Sequence, residues 1–271
     1  MKQKSKNQLT DVQNSYDSRG VDIQKVGIKD VEIPLIVQRK NADNQSVYAK
    51  ARVSVNLPKN YKGTHMSRFV EVLNKWSQKE LLSDDIKGFL TETKKKLSAT
   101  SAEVKFKFKY FIKKSAPVSK ITSQQGYDCS FKGVIDGNEY KFYLGVKVPI
   151  TTLCPCSKEI SDYSAHNQRA LVSLTVSYPE SSEQIWIEDL IELVEKSGSC
   201  EVYPLLKRRD EKYVTEKAYN NPKFVEDVIR DIVLKLRQNK LVNFFEVEVE
   251  SFESIHNHSA WAYKKETKDM E

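Results

Sequence analysis

Several stretches of the chain place apolar residues at every second position, which is the pattern of a strand with one buried face. The clearest runs from Val104 to Tyr110, where apolar residues alternate with Lys105, Lys107 and Lys109. We expect these lysines to form a solvated stripe on the outer face of that strand. The other predicted strands cover 33–37, 47–57, 170–176 and 245–249.

Between these strands, apolar residues recur every three or four positions, as they do on the buried face of an α-helix. This spacing predicts helices over 66–76 and 86–97 in the first half of the chain. In the second half it predicts helices over 187–194 and from Asn221-Pro222 to Leu236. Proline is favoured in the first turn of a helix, where its missing N–H would have no partner, so the last helix is predicted to open at Pro222.

The two halves repeat one order of elements: strand, strand, helix, helix, strand, strand. The final pair of strands is less clear in the second half. The order predicts an α+β fold with antiparallel sheets and the helices packed on one face. We expect an N-terminal extension at 1–25, a first ββααββ-like module at 26–165 and a second module at 166–271.

The composition limits the classes of function that this protein can have, but it does not identify a single class. The 271 residues include 44 Lys and Arg against 37 Asp and Glu, so the formal net charge is +7. This modest excess suits an anionic ligand or nucleic acid and by itself favours neither. Hydrophobic residues make up 39% of the chain, which is enough for a sizeable core without disulfides.

The N-terminal sequence and the hydropathy predict a cytoplasmic protein. No window approaches 18 consecutive apolar residues, and the first 20 residues lack the apolar core of a secretory signal. We therefore expect no membrane partner and a reducing environment. In such an environment cysteines are more often free, metal-bound or catalytic than paired. The chain has four: Cys129, Cys154, Cys156 and Cys200.

One tract, CPCSKEISDYSAH, combines two of these cysteines with a histidine. Thiolate and imidazole suit zinc and similar divalent metals, so Cys154, Cys156 and His166 are candidate ligands. The spacing is not that of a zinc finger, and a tract that supplies three ligands leaves a position for water, as catalytic sites do. The alternative is a pair of buried free cysteines beside a surface histidine.

A second tract, FESIHNHSAW, holds Glu253, His256 and His258. Glu253 has the same strand parity as the apolar residues at 245–249, so it is predicted to face the core, where a carboxylate needs a partner or a metal. The alternative is that the strand has already ended there. His256 can reach the same site as Glu253 only if the chain bulges or turns between them.

Charged residues near the last predicted helix give two weaker candidates. Lys207 and Arg208 lie in SCEVYPLLKRRDEKYVTE, which is predicted to be a basic loop between two helices that could bind phosphate or could be ordinary solvated chain. Glu226 lies near the start of a helix, where it could complement the helix dipole. It could equally accept hydrogen bonds from the adjacent N–H donors of a purine.

No Walker or Rossmann glycine loop and no nucleic-acid motif occurs in the sequence. The tracts VGIKDVEIP, KGTHMSRF, CPCSKEISDYSAHNQR, SCEVYPLLKR, DEKYVTEKAYNNPKFVEDVIRD and FESIHNHSA together resemble the GTP cyclohydrolases of the type-IB branch. The resemblance runs from about Asp11 to about Tyr263. It implies a tunnelling fold with two tandem modules and a homotetramer with active sites at subunit interfaces. The implied reaction converts GTP and water to 7,8-dihydroneopterin triphosphate and formate, the first step of folate and pterin synthesis.

The resemblance also implies roles for individual residues. Cys154 and His166 match the metal-binding and catalytic cysteine and histidine of the family, and Glu226 matches the carboxylate that anchors guanine. Further or alternative metal-site residues are implied at Cys156, Glu211, Glu253 and His256. The implied cofactor is a divalent metal, Zn²⁺ or Mn²⁺, with no organic cofactor.

Such an enzyme also needs cations for the triphosphate and a group for proton transfer, for which His256 or His258 is a candidate. The candidate cations are His65, Arg68, Lys158, Arg169, Lys207 and Arg208. Two other hypotheses stay open: an NADPH-dependent nitrile reductase of queuosine synthesis with the same fold, and a zinc-stabilised RNA-binding module without catalysis. On the preferred hypothesis the chain has no nucleic-acid partner.

Overall fold

The computed structural model describes residues 11–77, 79–81, 83–180 and 183–268. Of the predicted N-terminal extension, residues 1–10 lie outside this part, and the first strand already begins at Ile23. The described strands are β1 (Ile23–Val37), β2 (Gln45–Leu57), β3 (Glu80–Leu81), β4 (Ser101–Ser115), β5 (Thr122–Asp136), β6 (Glu139–Leu153), β7 (Asn167–Ser177), β8 (Cys200–Glu201), β9 (Phe244–Ser251) and β10 (Ala260–Thr267). The described helices are α1 (Met66–Trp76), α2 (Ser83–Leu97), α3 (Pro155–Ile160), α4 (Ile187–Glu195), α5 (Arg208–Asn220) and α6 (Val225–Gln238).

The strands form one sheet in the order β10-β9-β7-β6-β5-β4-β2-β1-β3, with β8 added beside β6. Each long strand pairs antiparallel with its neighbours. The two runs of long strands are β1, β2, β4, β5 and β6, β7, β9, β10, and the hairpin between β5 and β6 joins them. Gly137 makes this hairpin possible because its φ of 55° lies in the left-handed region. The boundary at 165/166 stays a prediction, since the sheet continues unbroken from β5 to β7.

The core lies between one face of the sheet and the helices. Alternate residues of β4 point into it, so Val104, Phe106 and Tyr110 are at most 1% exposed. Helices α2, α4 and α6 lie against the same face of the sheet, and none of the helices in the described ranges covers the central strands on the opposite face. Each fully buried large side chain contributes about 1.5–3 kcal/mol to stability. The predicted α+β architecture with helices on one face is confirmed. None of the helices in the described part of the chain has the length and apolar content needed to span a bilayer.

Two local predictions in the second half were wrong. The last helix begins at Val225 and not at Pro222, because the Lys223 N–H donates to the carbonyl of Leu153 at 3.0 Å and holds the preceding segment extended against β6. The Phe224 N–H then donates to Asp227 Oδ2 at 3.0 Å and fixes the first turn of α6. The prediction of a basic loop is also wrong for the second half of that tract, which belongs to the helix α5.

Candidate active site

One cleft, of about 320 Å³, opens where the end of β6, the start of β7, the start of α6 and the segment after β9 meet. We call it the Cys154 cleft. Its lining brings together five residues that the sequence singled out, although they come from distant parts of the chain: Cys154, His166, Glu226, Glu253 and His256.

Cys154 is fixed by the junction between β6 and α3. It follows the last residue of β6 directly and precedes Pro155, the first residue of α3. The Ser157 N–H donates to Cys154 Sγ at 3.4 Å, and the Cys154 N–H donates to the carbonyl of His166 at 3.1 Å. The thiol therefore has a defined direction, and its backbone is joined to that of the neighbouring histidine.

His166 is oriented by Gln168, a residue that sequence analysis did not identify. Gln168 Oε1 lies 2.9 Å from His166 Nδ1, so the proton belongs on Nδ1 and Nε2 presents a lone pair. The other end of the amide donates to Glu253 Oε1 at 3.2 Å. Gln168 thus connects the imidazole to the carboxylate. Its spacing was the available signal, because residues two apart on an extended chain point to the same side.

The segment after β9 turns, and this turn brings Glu253 and His256 to the cleft. Since β9 ends at Ser251, Glu253 is not a strand residue facing the core, and the alternative that the strand had ended was the correct one. Glu253 is half-buried, whereas His256 is exposed and stacks on His258 with ring centroids 5.2 Å apart. The chain bends between Glu253 and His256, which is the condition under which both could reach one site, and both line the cleft.

The wall opposite these groups combines a carboxylate with aromatic surface. Glu226 is the second residue of α6, and no hydrogen bond to its carboxylate occurs within the described residues. Phe224 and Trp261 line the same cleft with 38% and 60% of their surface exposed. Flat exposed rings beside a free carboxylate suit a planar ligand that stacks on them and presents N–H donors at its edge.

The donor atoms in the cleft are of the types that divalent metals bind. Sulfur from Cys154, nitrogen from His166 and oxygen from Glu253 make a mixed set that suits zinc or manganese. Within the described ranges, no group of three His, Cys, Asp or Glu side chains is close enough to hold a metal ion. The residue types fit a metal, while the side chains are not gathered around one point.

Four other sequence candidates lie outside the cleft. Cys156 and Glu211 are exposed, and neither lines it. Lys158 Nζ donates to the carbonyl of Tyr219 at 2.6 Å and lies over the ring of that residue. Arg169 is exposed on β7, with parity opposite to that of Gln168. This chain alone does not bring these four side chains to the thiol and imidazole.

Lys207 and Arg208 are exposed at the start of α5, again outside the cleft. The position of this helix depends on Asp210, which is 0% exposed. Its carboxylate accepts from the N–H groups of Val118, Ser119 and Lys207 at 2.8, 2.8 and 2.9 Å, and from the Ser119 hydroxyl at 2.6 Å. Burial opposes ionisation, but these four donors hold the pKa of Asp210 well below its usual range.

The remaining candidates, His65 and Arg68, line a separate cavity of about 330 Å³ between the end of β2, the start of α1 and the end of α2. We call it the His65 pocket. His65 Nε2 lies 3.3 Å from Asp11 Oδ1, and Arg68 Nη1 donates to the carbonyl of Lys96 at 3.3 Å. The two sites belong to different runs of strands, so one chain does not bring these cations to the Cys154 cleft.

Comparison with known proteins identifies the family. The family model described as type I GTP cyclohydrolase FolE2 matches residues 9–262. The chain belongs to the FolE2 family. GTP cyclohydrolase FolE2 of Thermosipho africanus is 55% identical over 254 residues, covering 94% of this chain and 96% of that protein. The FolE2 proteins of Geotalea uraniireducens and Azoarcus sp. are 51% and 49% identical, over 94% and 97% of this chain and 92% and 97% of theirs.

Solved structures support the fold of this FolE2 chain. Uricase from Arthrobacter globiformis aligns with a TM-score of 0.54 at 7% identity, over 91% of this chain and 94% of that one. A uricase from Bacillus fastidious aligns with a TM-score of 0.55 at 10% identity, over 90% and 93%. At such identities the likeness concerns the fold alone. The tunnelling fold is therefore confirmed.

Proposed function

We propose that the Cys154 cleft is the active site in which this FolE2 chain acts as a GTP cyclohydrolase. The reaction converts GTP and water to 7,8-dihydroneopterin triphosphate and formate, the entry to folate-type pterin synthesis. The observation that carries the proposal is the meeting of a thiol, an imidazole and carboxylates with exposed aromatic rings in one cleft. Each is a group that hydrolysis of a purine ring needs.

In this proposal the guanine base lies against Phe224 and Trp261 while Glu226 reads its edge. A carboxylate can accept from the ring N1–H and the exocyclic amine together, in the manner in which it accepts from a guanidinium group. Stacking of a base on an aromatic side chain contributes about 1–3 kcal/mol. The carboxylate that recognises the base and the donor atoms that hold the metal would then lie on opposite walls of the same cleft.

Cys154 and His166 would hold the divalent metal, with Glu253 and His256 as further donors from the turn after β9. A bound metal supplies a water of lowered pKa that can act as hydroxide near neutral pH. The chain itself keeps His166 in the tautomer that ligation requires, through the contact of Nδ1 with Gln168. In the alternative role, in which it does not bind the metal, the exposed His256 would move protons to and from the opened ring.

We further propose a cytoplasmic homotetramer whose active sites join two copies. The proposal draws on the family resemblance and on the separation of the two sites in one chain. Among the described residues, the lining of the Cys154 cleft includes one lysine, Lys223, whose Nζ lies 2.6 Å from Asp231 Oδ2, whereas His65 and Arg68 lie in the other pocket. A triphosphate bound near the cleft would need cations from a neighbouring subunit, and the exposed edge strand β10 lies beside the cleft.

The deciding experiment is incubation of the purified protein with GTP and either Zn²⁺ or Mn²⁺, followed by oxidation and detection of a fluorescent pterin. We expect pterin formation that EDTA abolishes and either metal restores. Activity that survives extensive dialysis against EDTA would contradict the metal proposal. NADPH-dependent reduction of a nitrile in place of pterin formation would favour the reductase hypothesis.

A further inference from the structure

The face of the sheet opposite the helices carries a hollow of about 960 Å³ over the central strands β2, β4, β5, β6 and β7. Within the described residues, its lining has six cationic side chains and one carboxylate, Asp128. We call it the lysine hollow. Its cations are Arg39, Lys50, Lys105, Lys107, Lys109 and Lys147. Such an imbalance raises the local concentration of anions.

The strand register places like charges directly opposite one another in this hollow. Lys50 of β2 pairs with Lys107 of β4. Opposed like charges destabilise a sheet unless something neutralises them. In the neighbouring row this is done by Glu103, which lies 3.2 Å from Arg52 and 3.6 Å from Lys132. Within the described part of the chain, Lys50 and Lys107 have no such carboxylate.

The residues that form the floor of the hollow are small, and two of them carry hydroxyl groups. Across the sheet, Lys107 is followed by Ser130, Gly145 and Thr175 in one row of paired positions. A Cβ atom at Gly145 would lie 2.6 Å from Ser130 Oγ, so any side chain there would crowd the floor. The glycine leaves open space beside two hydroxyl donors, and lysines surround that space.

The surroundings of Lys105 also indicate that the hollow lacks counter-charge. Burial lowers the pKa of Lys105, and the neighbouring Lys107, Lys132 and Arg52 lower it further. Arg39 lies at the edge of the hollow with its guanidinium 5.8 Å from the centre of the Tyr110 ring, and the Tyr110 hydroxyl donates to Glu188, so we infer the lack of counter-charge from the lysines. An anion in the hollow would relieve the repulsion among the ammonium groups.

We propose that the lysine hollow is a second anion site, separate from the Cys154 cleft, and that it binds the phosphate chain of an oligophosphate. The ligand is either a nucleoside triphosphate or free inorganic triphosphate, which share this chemistry. A linear chain of phosphates matches a row of lysines flanking a hydroxyl floor, and the volume lies within the range of small-molecule sites. The inference does not depend on the reaction proposed for the cleft.

The test is calorimetric titration of the full-length, assembled protein with inorganic tripolyphosphate in the absence of GTP. Removing two charged donors with Lys50→Gln and Lys107→Gln together should weaken binding at least about tenfold. The matched control is Lys95→Gln with Lys240→Gln, which removes the same charge from two exposed lysines that do not line the hollow. The control should bind like the wild type. The hollow variant should melt no lower than the wild type, because it loses an opposed pair of like charges.

Titration with ATP shows whether the hollow prefers a nucleoside triphosphate or free inorganic triphosphate. Equal affinities for ATP and tripolyphosphate would show that the phosphates alone are read, and tighter binding of ATP would show that the base contributes; either supports the site. The proposal is overturned if tripolyphosphate does not bind, or if the control loses as much affinity as the hollow variant. It is also overturned if Arg68→Gln removes binding in place of the hollow variant, or if a single-stranded RNA binds while tripolyphosphate does not.

Discussion

The Cys154 cleft and the His65 pocket are similar in volume and opposite in chemistry. The cleft holds a thiol, two imidazoles, two carboxylates and two exposed aromatic rings. The pocket holds His65 and Arg68, without any thiol or carboxylate in its lining within the described residues. One suits a metal and a planar base, and the other suits phosphate oxygens.

Topology explains this difference. The cleft is built on β6, β7, the end of β9 and α6, all from one run of strands, whereas the pocket is built on β2, α1 and α2 from the other run. The two cavities therefore lie on different parts of the sheet and use different helices. A reaction on GTP needs both chemistries together, and this requirement supports our proposal that two copies of the chain complete the site.

Of the variants that test this comparison, the one that lacks the Cys154 thiol should lose the most activity. We expect Cys154→Ala to lower kcat at least about a thousandfold while the fold is retained, because a lost ligand removes several kcal/mol of metal-dependent stabilisation. The measurement is turnover of GTP beside metal content and circular dichroism. Cys156→Ala should cost less, since Cys156 is exposed and does not line the cleft. A Cys154→Ala protein that binds metal stoichiometrically and keeps its rate would remove Cys154 from the mechanism.

Changing Glu226 to glutamine tests the base-recognition side of the cleft. The amide puts an NH₂ group opposite a ring donor, which should cost roughly 2–5 kcal/mol for a desolvated, charge-assisted pair. This corresponds to about thirty-fold to several thousand-fold in kcat/KM. Preference for GTP over ITP should shrink, because ITP lacks the exocyclic amine. Unchanged discrimination, or a defect accounted for by metal loss, would leave Glu226 as a residue that complements the helix dipole.

Gln168→Ala should have a smaller effect, because Gln168 positions the ligands without binding the metal. Loss of such supporting partners typically costs about 10–100-fold in metal affinity or activity. The affinity for zinc should fall in this variant, and NMR of the imidazole should show that His166 is no longer held in one tautomer. Gln168→Glu keeps an acceptor for His166 Nδ1 and should recover part of the loss. If both variants bind zinc like the wild type, Gln168 has only a structural role.

Gln168 also shows where sequence reasoning reached its limit. Strands and helices with strong periodicity, such as the strand that contains Val104 to Tyr110, could be predicted because the spacing of their apolar residues shows which face is buried. The helix α5 could not, since its position depends on contacts of Asp210 with Val118 and Ser119, about 90 residues away. The assignment of Cys154 came from residue chemistry and family resemblance. The split between the cleft and the pocket is a property of the strand order, which local patterns do not contain.

The smallest effect is expected from Arg68→Gln in the His65 pocket. Arg68 is expected to contact the triphosphate, which does not change during the reaction, so its loss removes binding shared by substrate and transition state. KM should rise about tenfold with little change in kcat. A fall in kcat with unchanged KM would place Arg68 near the reacting ring and would break the contrast between the two sites.

Mixing the variants sharpens the comparison further. Cys154→Ala lacks a working cleft and retains its His65 pocket, whereas a protein with both His65→Ala and Arg68→Ala retains its cleft. If the active site joins the cleft of one subunit to the pocket of another, co-expression of the two chains forms interfaces in which both halves are intact. Activity at low GTP should then exceed that of either variant alone, although no chain in the mixture is wild type.

If each chain used its own cleft and pocket, every site in the mixture would be defective and the activity would be the average of the two parents. Because the averages are known from the parents, recovery above them would establish that one chain supplies the ligands and its neighbour the phosphate-binding cations.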